Sequence, residues 1–459
     1  MTVRKPLQND MSVQVVVIGA GITGILTAYF LQKKGITAVV LEADRIAGGQ
    51  TQNTTAKITS QHGYFYAEAV RKMGRKKAAI YASANENAIQ KFEQLIEKEN
   101  ISCQFERLSS YLYTTEEKNR KKMQKEAKIA AELGIHASFV DGTQLTELPF
   151  SVNCAVRFDN QAQFHPLAFI KHLAKEVTIY ENTKVLSVKG HTVYTEDKQI
   201  EADYIVFATH YPFINIPGFY FLRQHQERSY VMALRNCEKL KGMYYSMDEN
   251  GLSLRSAESC LLLGGGSHRT GKKISCKNEQ YGYTFLRKAA EKYYPSAETA
   301  FAWSAQDCMP HDHIPYIGQY SMFRPYWYFA SGFKKWGMTT SMIAADMISS
   351  QIYEDAIKEV CNKKDEEIAK YAEVFSPQRC LLRAGFKDFI VDLGESICGL
   401  SKGAFAKGDR KCPHMGCKLE WNPEENSWDC PCHGSRFSYE GELKDNPAQM
   451  DLNSIHNGV

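Results

Sequence analysis

The chain has 459 residues, of which 44% are hydrophobic and 24% are charged. A chain of this length and composition can bury cores for two or three domains, which excludes disordered proteins and small disulfide scaffolds. The net charge of +4 provides no basic excess that would indicate binding to nucleic acid or to an anionic membrane.

The first ten residues are polar and lack the apolar core of a signal peptide. The longest weakly charged run, residues 13–31, approaches the length of a membrane span. Three spaced glycines interrupt this run, and its pattern is that of a strand, a turn and a helix. We therefore predict a protein without a transmembrane segment, located in the cytoplasm.

A βαβ unit is predicted over residues 13–42. Residues 13–18 are a β-branched run typical of a buried parallel strand. A helix is predicted over residues 25–34, which Gly35 ends, and a second strand over residues 37–41. This order of elements predicts an α/β nucleotide-binding domain.

A GxGxxG turn joins the first strand to the helix. Gly19 permits the tight turn, Gly21 lets the backbone approach a pyrophosphate, and Gly24 lets the helix pack against the strand. The helix N-terminus offers free N–H groups to phosphates, and Glu42 can accept hydrogen bonds from ribose hydroxyls, which disfavours NADP. A kinase loop or a ligand-free turn is the alternative interpretation, and the complete strand–helix–strand–acid context argues against it.

Later motifs resemble those of the D-amino-acid oxidase superfamily of flavoproteins, which includes glycine and sarcosine oxidases. The motifs are Gly48-Gly49-Gln50-Thr51, Thr54-Thr55-Ala56-Lys57, the strand-like segment 202–209, Asp312-His313-Ile314-Pro315-Tyr316-Ile317-Gly318 and the glycine-bearing segment 328–338. The resemblance covers residues 12–350. It implies FAD as the cofactor and an α/β FAD-binding (Rossmann-like) domain with an interleaved α+β substrate domain.

The same resemblance implies where the cofactor and the substrate bind. Segments near 183–210 and 303–350 would contact the cofactor, and segments near 90–150 and 215–300 would form the substrate domain. The implied cofactor-binding residues are Gly19, Gly21, Gly24, Glu42, Thr54, Thr55, Ala56, Val185, Ala208, Gly332, Gly337 and Met338.

No residue for the substrate chemistry is evident from the motifs. Members of the superfamily often move a hydride from an amine carbon without an obligatory side-chain base, so none need be present. The candidates near the flavin are His165, Arg255 and Lys334. For a lone histidine such as His165, a structural role is the more common one.

Four of the 13 cysteines crowd together with two histidines between residues 412 and 433, in one C-x-H loop and one C-x-x-H loop. A tetrahedral zinc site could use two cysteines and two histidines, but zinc ligands usually segregate into cysteine pairs and histidine pairs. A [2Fe–2S] cluster with two thiolates on one iron and two imidazoles on the other fits both loops. The two loops resemble those of a Rieske domain.

By this resemblance the two thiolates would bind one iron and the two imidazoles the other. Cys417 and Cys432 match the pair that forms a loop-bracing disulfide in Rieske proteins of the quinol-oxidising type. Ser435 matches a serine that hydrogen-bonds cluster sulfur in high-potential members, while Phe437 stands where those members often carry a tyrosine. One donor fewer predicts a lower reduction potential. The implied cluster ligands are Cys412, His414, Cys430 and His433.

The remaining C-terminal sequence predicts two further regions. Residues 351–393 are predicted to form a helical connector, and residues 394–459 a small all-β Rieske domain. Residues 411–459 carry four basic and eight acidic side chains. An acidic C-terminal domain could dock on the more basic remainder, although an ordinary solvated surface would look the same.

The fusion of the two domains predicts an FAD-dependent dehydrogenase of an amine or amino-acid-like substrate. Electrons would pass from the flavin to the cluster and on to an external acceptor, and the sequence allows the reverse direction equally. The predicted partners are a small-molecule substrate and an external electron acceptor or donor, without nucleic acid. Two alternatives stay open: an electron-transfer flavo-iron–sulfur protein with no small organic amine substrate, and a redox-sensing module.

Overall fold

The computed structural model describes residues 3–272, 280–358, 365–379 and 411–452, and the single positions 390, 394 and 401. Parts of the predicted substrate domain, of the connector and of the N-terminal part of the Rieske domain therefore lie outside the described residues. None of the described helices combines the length and the apolar character that crossing a bilayer requires.

Twenty-one strands and seven α-helices make up the described chain. Residues 11–141 contain β1 (Met11–Ile18), α1 (Ile22–Lys33), β2 (Ala38–Leu41), β3 (Lys57–Ile58), α2 (Tyr66–Lys98), β4 (Glu106–Thr114), α3 (Arg120–Glu132) and β5 (Ala137–Asp141). Residues 154–246 contain β6 (Cys154–Gln163), α4 (Pro166–Leu173), β7 (Thr178–Tyr180), β8 (Ser187–Lys189), β9 (Thr192–Tyr194), β10 (Gln199–Phe207), β11 (Gln224–Arg235) and β12 (Gly242–Ser246).

Strands and helices also alternate over residues 253–375, whereas residues 420–445 contain only strands. Residues 253–375 contain β13 (Ser253–Ala257), β14 (Cys260–Arg269), α5 (Gly282–Tyr293), β15 (Glu298–Pro310), β16 (Tyr316–Ser321), β17 (Arg324–Ser331), α6 (Gly337–Ala356) and α7 (Glu366–Phe375). Residues 420–445 contain β18 (Glu420–Asn422), β19 (Ser427–Asp429), β20 (Arg436–Phe437) and β21 (Leu443–Asp445).

An eight-stranded sheet carries the predicted nucleotide-binding unit. Its strand order is β16-β17-β10-β1-β2-β7, and the β8–β9 hairpin adds to the edge of β10. The first strand pairs in parallel with β2 and β10, which confirms the predicted Rossmann-like βαβ unit. Helix α1 is buried around most of its circumference because it packs between this sheet and α6.

A second, nine-stranded sheet is interleaved with the first along the chain. Its order is β15-β11-β14-β13-β12-β4-β6-β3, and β5 also pairs with β6. The pairing is antiparallel except between β4 and β12. Helix α5 covers one face through Leu286 and Ala289, which pack in one apolar cluster with Leu254 and Leu263. This sheet corresponds to the predicted α+β substrate domain, and it also includes β3, β6 and β15.

A four-stranded antiparallel sheet, β18-β19-β20-β21, forms the small all-β domain. Its apolar cluster contains eight buried residues, and four of them are cysteines. Helix α7, from the predicted connector, packs on the body instead of spanning open space: the Phe375 ring lies 5.5 Å from Tyr81. Asp365 caps this helix by accepting hydrogen bonds from the N–H groups of Glu367 and Ile368.

Candidate functional site

The turn after β1 packs too closely for side chains at two of the predicted glycines. Gly19 has a φ of +104°, and a Cβ there would lie 2.6 Å from the carbonyl oxygen of Ala208. At Gly24 a Cβ would lie 1.9 Å from the carbonyl oxygen of Gly19, so the helix could not pack at this distance with any other residue. Gly24 therefore has the packing role that the sequence predicts for it.

A cavity of about 810 Å³ opens beside this turn, between the two large sheets. Ala56 and Gly332 do not line it, and neither does Gly24. Gly332 packs instead against Pro310 and Gln224. The predicted cofactor residues that do line the cavity are Gly19, Gly21, Glu42, Thr54, Thr55, Val185, Ala208, Gly337 and Met338.

Two helix N-termini face this cavity. Helix α1 begins after Gly21 and helix α6 after Trp336, and neither of these N-cap residues bonds the first N–H groups through a side chain. In α1 the Ile22 N–H donates to Thr51 Oγ1 at 3.1 Å. The remaining first-turn N–H donors and the positive ends of the two helix dipoles are left for a ligand. Glu42 accepts a hydrogen bond from the Ala20 N–H at 2.7 Å, and burial raises the pKa of its carboxyl. The size of the cavity, its glycine cradle and its two anion-binding ends fit a dinucleotide such as FAD.

Charged side chains outside the predicted site residues line the same cavity. The Nζ atom of Lys57 donates to the carbonyl oxygen of Tyr244 at 2.9 Å, and burial lowers the pKa of Lys57 to about 7. The Nζ atom of Lys335 donates to Ser267 Oγ at 2.9 Å. Burial raises the pKa of Asp307 to about 6. These groups place titratable chemistry on the substrate-domain side of the cavity.

The three predicted catalytic candidates differ in position. His165 does not line the cavity, because its Nδ1 atom accepts a hydrogen bond from the Ala168 N–H and caps α4. Arg255 is buried behind the cavity wall, where its Nη1 atom donates to Gln163 Oε1 at 3.1 Å. Lys334 does line the cavity. Of the three, only Lys334 is therefore in a position to contact a ligand there.

The two cysteine–histidine loops of the small domain have matching backbones. The Gly416 N–H donates to the carbonyl oxygen of Cys412 at 2.8 Å, and the Gly434 N–H donates to that of Cys430 at 3.0 Å. Both glycines adopt positive φ angles, 81° and 84°. The two loops thus turn in the same way and bring their first cysteines together.

The donor atoms of these loops converge as the sequence predicts for a Rieske cluster. The thiols of Cys412 and Cys430 are buried and in hydrogen-bond contact with each other. The rings of His414 and His433 lie 5.0 Å apart. The Nδ1 atom of His414 is buried and has no hydrogen-bond partner among the described residues. Two thiols in mutual contact and two neighbouring imidazoles, all from the same two loops, match the ligand set of a [2Fe–2S] cluster of the Rieske type.

The sulfur atoms of Cys417 and Cys432 are bonded in the structure, so a disulfide joins the two loops. The sulfur atoms of Cys417, Cys430 and Cys432 all lie within 4.8 Å of one another. The bonded pair is therefore adjacent to the cluster ligands, where it braces both loops.

The small domain docks directly on the body through three glutamines, Gln50, Gln226 and Gln306, which we call the glutamine bridge. The Nε2 atom of Gln226 donates to the His433 carbonyl oxygen at 2.7 Å, and that of Gln306 donates to the Gly434 carbonyl oxygen at 2.7 Å. The two side chains also bond to each other at 2.7 Å, and the Gln306 N–H donates to Gln50 Oε1 at 2.7 Å. The cluster loop is thereby connected to strands that line the large cavity.

Residues near β21 also complete the wall of the large cavity. Asp445, Asn446, Ala448 and Gln449 all line it. The Nδ2 atom of Asn446 donates to the carbonyl oxygens of Thr209 and Tyr211, each at 3.1 Å. The small domain therefore forms one side of the dinucleotide cavity.

Comparison with known proteins identifies both regions of the chain. The model of the DAO family, FAD dependent oxidoreductase, matches residues 14–351, and the model of the Rieske [2Fe-2S] domain matches residues 389–456. The Rieske 2Fe-2S iron-sulfur protein YhfW of Bacillus subtilis (strain 168) is 34% identical over 98% of this chain and 94% of its own length.

Solved structures with the same fold cover most of the body. L-proline dehydrogenase from P. horikoshii superposes with a TM-score of 0.63 at 19% identity, covering 81% of this chain and 98% of that chain. Glycine oxidase from Bacillus cereus ATCC 14579 superposes with a TM-score of 0.63 at 16% identity, covering 81% of this chain and 99% of that chain. At these identities the likeness is one of fold.

Proposed function

Because the chain belongs to the DAO family of FAD dependent oxidoreductases and carries a Rieske domain, we propose that it is a dehydrogenase of an amine or amino-acid-like substrate that passes electrons from FAD to the [2Fe–2S] cluster and on to an external acceptor. FAD and the cluster are its cofactors. When bound, FAD accepts two electrons from an organic substrate and the cluster accepts one at a time.

The observation that carries this proposal is the docking of the small domain against the FAD cavity. The glutamine bridge holds the backbone of His433 and Gly434, and Asp445 and Asn446 complete the cavity wall. Two redox sites placed this close exchange electrons within one molecule, so their encounter does not depend on concentration. A non-redox role for either domain would not need this contact.

The proposal assigns roles to the residues of both sites. The N-termini of α1 and α6 would hold the pyrophosphate and the flavin ring. Lys57, Asp307 and Lys335 would surround the substrate. Cys417 and Cys432 would keep their disulfide in the working protein. Cys412, His414, Cys430 and His433 would hold the cluster.

We also place the protein in a reducing compartment, the cytoplasm. The described cysteines outside the cluster site are free thiols, as expected where glutathione and thioredoxin keep thiols reduced. The disulfide beside the cluster is buried, which would protect it from those reductants. The free cysteines are Cys103, Cys154, Cys237, Cys260 and Cys308.

An anaerobic titration tests the proposal. Purified holoprotein is mixed with a panel of amines and amino acids, and flavin absorbance and the EPR signal of the reduced cluster are recorded together. We expect one amine to bleach the flavin first and the cluster afterwards in stopped-flow traces. If reduced flavin never reduces the cluster, the relay is wrong. Reduction only by a protein electron carrier would support the electron-transfer alternative.

A further inference from the structure

A second cavity, of about 680 Å³, lies between the N-terminal part of α2 and the segment around α7. Its wall includes Tyr64 and Phe65 before α2, Lys72 and Lys77 on α2, and Lys334. None of the residues assigned to FAD or to the cluster lines this cavity. The proposed function leaves the cavity without a role.

The acidic side chains on the wall of the second cavity are already neutralised. Asp312 binds Arg379 through both carboxylate oxygens, at 2.6 Å and 3.0 Å. Glu373 pairs with Lys76 at 3.0 Å. Glu68 pairs with Arg71. No acidic side chain on this wall is therefore left to balance a further cation.

Three lysines on the same wall have no such partner. The side-chain nitrogens of Lys72, Lys77 and Lys334 make no ion pair or hydrogen bond with the described residues. Unpaired like charges that face one cavity repel each other and favour the binding of an anion. The wall is therefore electrostatically complementary to a small anion.

Lys334 lies on the wall between the second cavity and the FAD cavity, because it lines both. Its Nζ atom lies 5.7 Å from the centre of the Phe65 ring, a weak cation–π contact. The pKa of Lys334 is lowered to about 8, chiefly by burial; the charges of Lys335 and Lys72 act in the same direction, and those of Glu227 and Asp312 oppose them. Burial removes water from around the charged amine of Lys334. A bound anion would supply the compensating negative charge.

We propose that the second cavity is a binding site for the anionic group of a small molecule, a carboxylate or a phosphate, and that Lys334 holds this group at the wall shared with the FAD cavity. Lys72 and Lys77 draw the anion in, and Lys334 fixes its inner end. We expect a substrate with an acidic group to enter the FAD cavity past Lys334, through the second cavity, a consequence that rests on the proposed function. The anion site itself stands independently of it.

Calorimetric titration of the holoprotein with succinate and with inorganic phosphate tests the site. Lys334→Met and Lys72→Met should each weaken binding by about tenfold, since each removes one of three facing charges. Lys334→Arg should retain binding, because the charge remains. Lys98→Met is the matched control: it removes an exposed lysine from the far end of the same helix, where it does not line the cavity.

The outcomes separate the two parts of the proposal. Unchanged affinity in Lys334→Met, or an equal loss in Lys98→Met, overturns the anion site, provided that melting curves show all variants folded. Tighter binding of succinate than of phosphate identifies the carboxylate as the ligand class, and the reverse identifies the phosphate. If the anions bind but do not slow the bleaching of flavin by its substrate, the site stands and the entrance role fails. If no amine bleaches the flavin at all, the proposed function fails while the binding data still decide on the site.

Discussion

Ser435 contacts the cluster site through its hydroxyl, which lies in hydrogen-bond contact with the Cys412 thiol and accepts the Ala448 N–H at 3.0 Å. A hydrogen bond to cluster sulfur stabilises the reduced state and raises the potential. Phe437, two residues on, is buried and offers no such donor. The cluster of this protein therefore has one side-chain hydroxyl where a high-potential relative would have two.

We expect Ser435→Ala to lower the reduction potential of the cluster. A hydrogen bond worth about 1 kcal/mol corresponds to roughly 40 mV for a one-electron couple. Phe437→Tyr should shift the potential in the opposite direction. An EPR-monitored redox titration measures both, and Ser438→Ala is the control because its hydroxyl accepts the Glu442 N–H in a surface turn. A potential that is the same in all three variants would contradict the role of Ser435.

The residues that could be predicted from the sequence are those whose chemistry depends on local spacing. Gly19, Gly24 and the cysteine–histidine loops are of this kind, because a turn or a ligand set is defined within a few residues. Asp307 and Lys335 could not be singled out. Lys335 lies inside a quoted motif and Asp307 lies outside all of them, and the charge of each matters only because folding places it beside Glu227 or Ser229, on another strand. Adjacent lysines at 334 and 335 could not be told apart by sequence for the same reason.

At the scale of elements, the turn between β18 and β19 inserts an acid into the body. Glu425 accepts hydrogen bonds from Arg228 at 2.7 Å, from Arg436 at 2.9 Å and from Tyr283 at 2.7 Å. Burial would raise the pKa of this carboxyl, but the two arginines lower it to about 2. The small domain therefore places a buried acidic side chain against Arg228 of the body.

This ion pair predicts acid-sensitive docking. A carboxyl whose folded pKa is lowered stabilises the folded state above its ordinary pKa near 4.3 and loses that contribution as the pH falls towards 2. We expect Glu425→Gln to cost roughly 3 kcal/mol at neutral pH and to flatten the pH dependence of unfolding between about pH 4.5 and 2. Denaturant unfolding at several pH values measures this, with the exposed Glu442→Gln as control. An unchanged pH profile in Glu425→Gln would be the contrary result.

The glutamine bridge makes a second prediction at this scale. Gln226→Leu leaves the buried His433 carbonyl oxygen without its donor, which costs about 1–3 kcal/mol. We expect faster hydrogen exchange in residues 430–435. Gln224→Leu is the matched control, since Gln224 is buried on the same strand but bonds to Ser331 within the body. Equal exchange rates in the two variants would mean that the bridge does not hold the loop.

Local elements were predictable and their long-range pairing was not. The βαβ unit follows from the period of its side chains, so its strand and helix agree with the observed β1 and α1 within a few residues. The nine-stranded sheet requires β12 to pair in parallel with β4, from distant parts of the chain. No local pattern encodes such a register. The packing of α7 on α2 could not be predicted either. The amphipathic pattern of α7 indicates a buried face, but it does not indicate which element covers that face.

For the whole molecule, the order of the domains could be predicted but their docking could not. The contact depends on single polar groups, such as the bridge and Asn446, spread over several elements. In residues 411–452, the described part of the small domain, half of the buried apolar cluster is cysteine. We therefore expect cluster binding to supply much of the folding free energy of this part. Since this domain walls the FAD cavity, the two cofactors should depend on each other.

Removal of the cluster should therefore release FAD. In Cys412→Ser, or after iron is chelated, we expect FAD to dissociate roughly tenfold faster, which corresponds to about 1.4 kcal/mol of lost contacts. Flavin fluorescence after dilution measures the rate. Ser438→Ala, with the cluster intact, should keep the rate of the unaltered protein. Equal retention of FAD with and without the cluster would show that the wall formed by Asp445 and Asn446 is not needed.

The same wall has a consequence for how the protein is assembled in the cell. Because the cluster-bearing domain forms one side of the cavity, we expect FAD to be held firmly only once the cluster is in place. A chain made during iron scarcity would keep its cavity open and lose its flavin, and would then be exposed to proteolysis. The cellular level of the whole flavoprotein would follow the iron supply, although the flavin itself contains no iron.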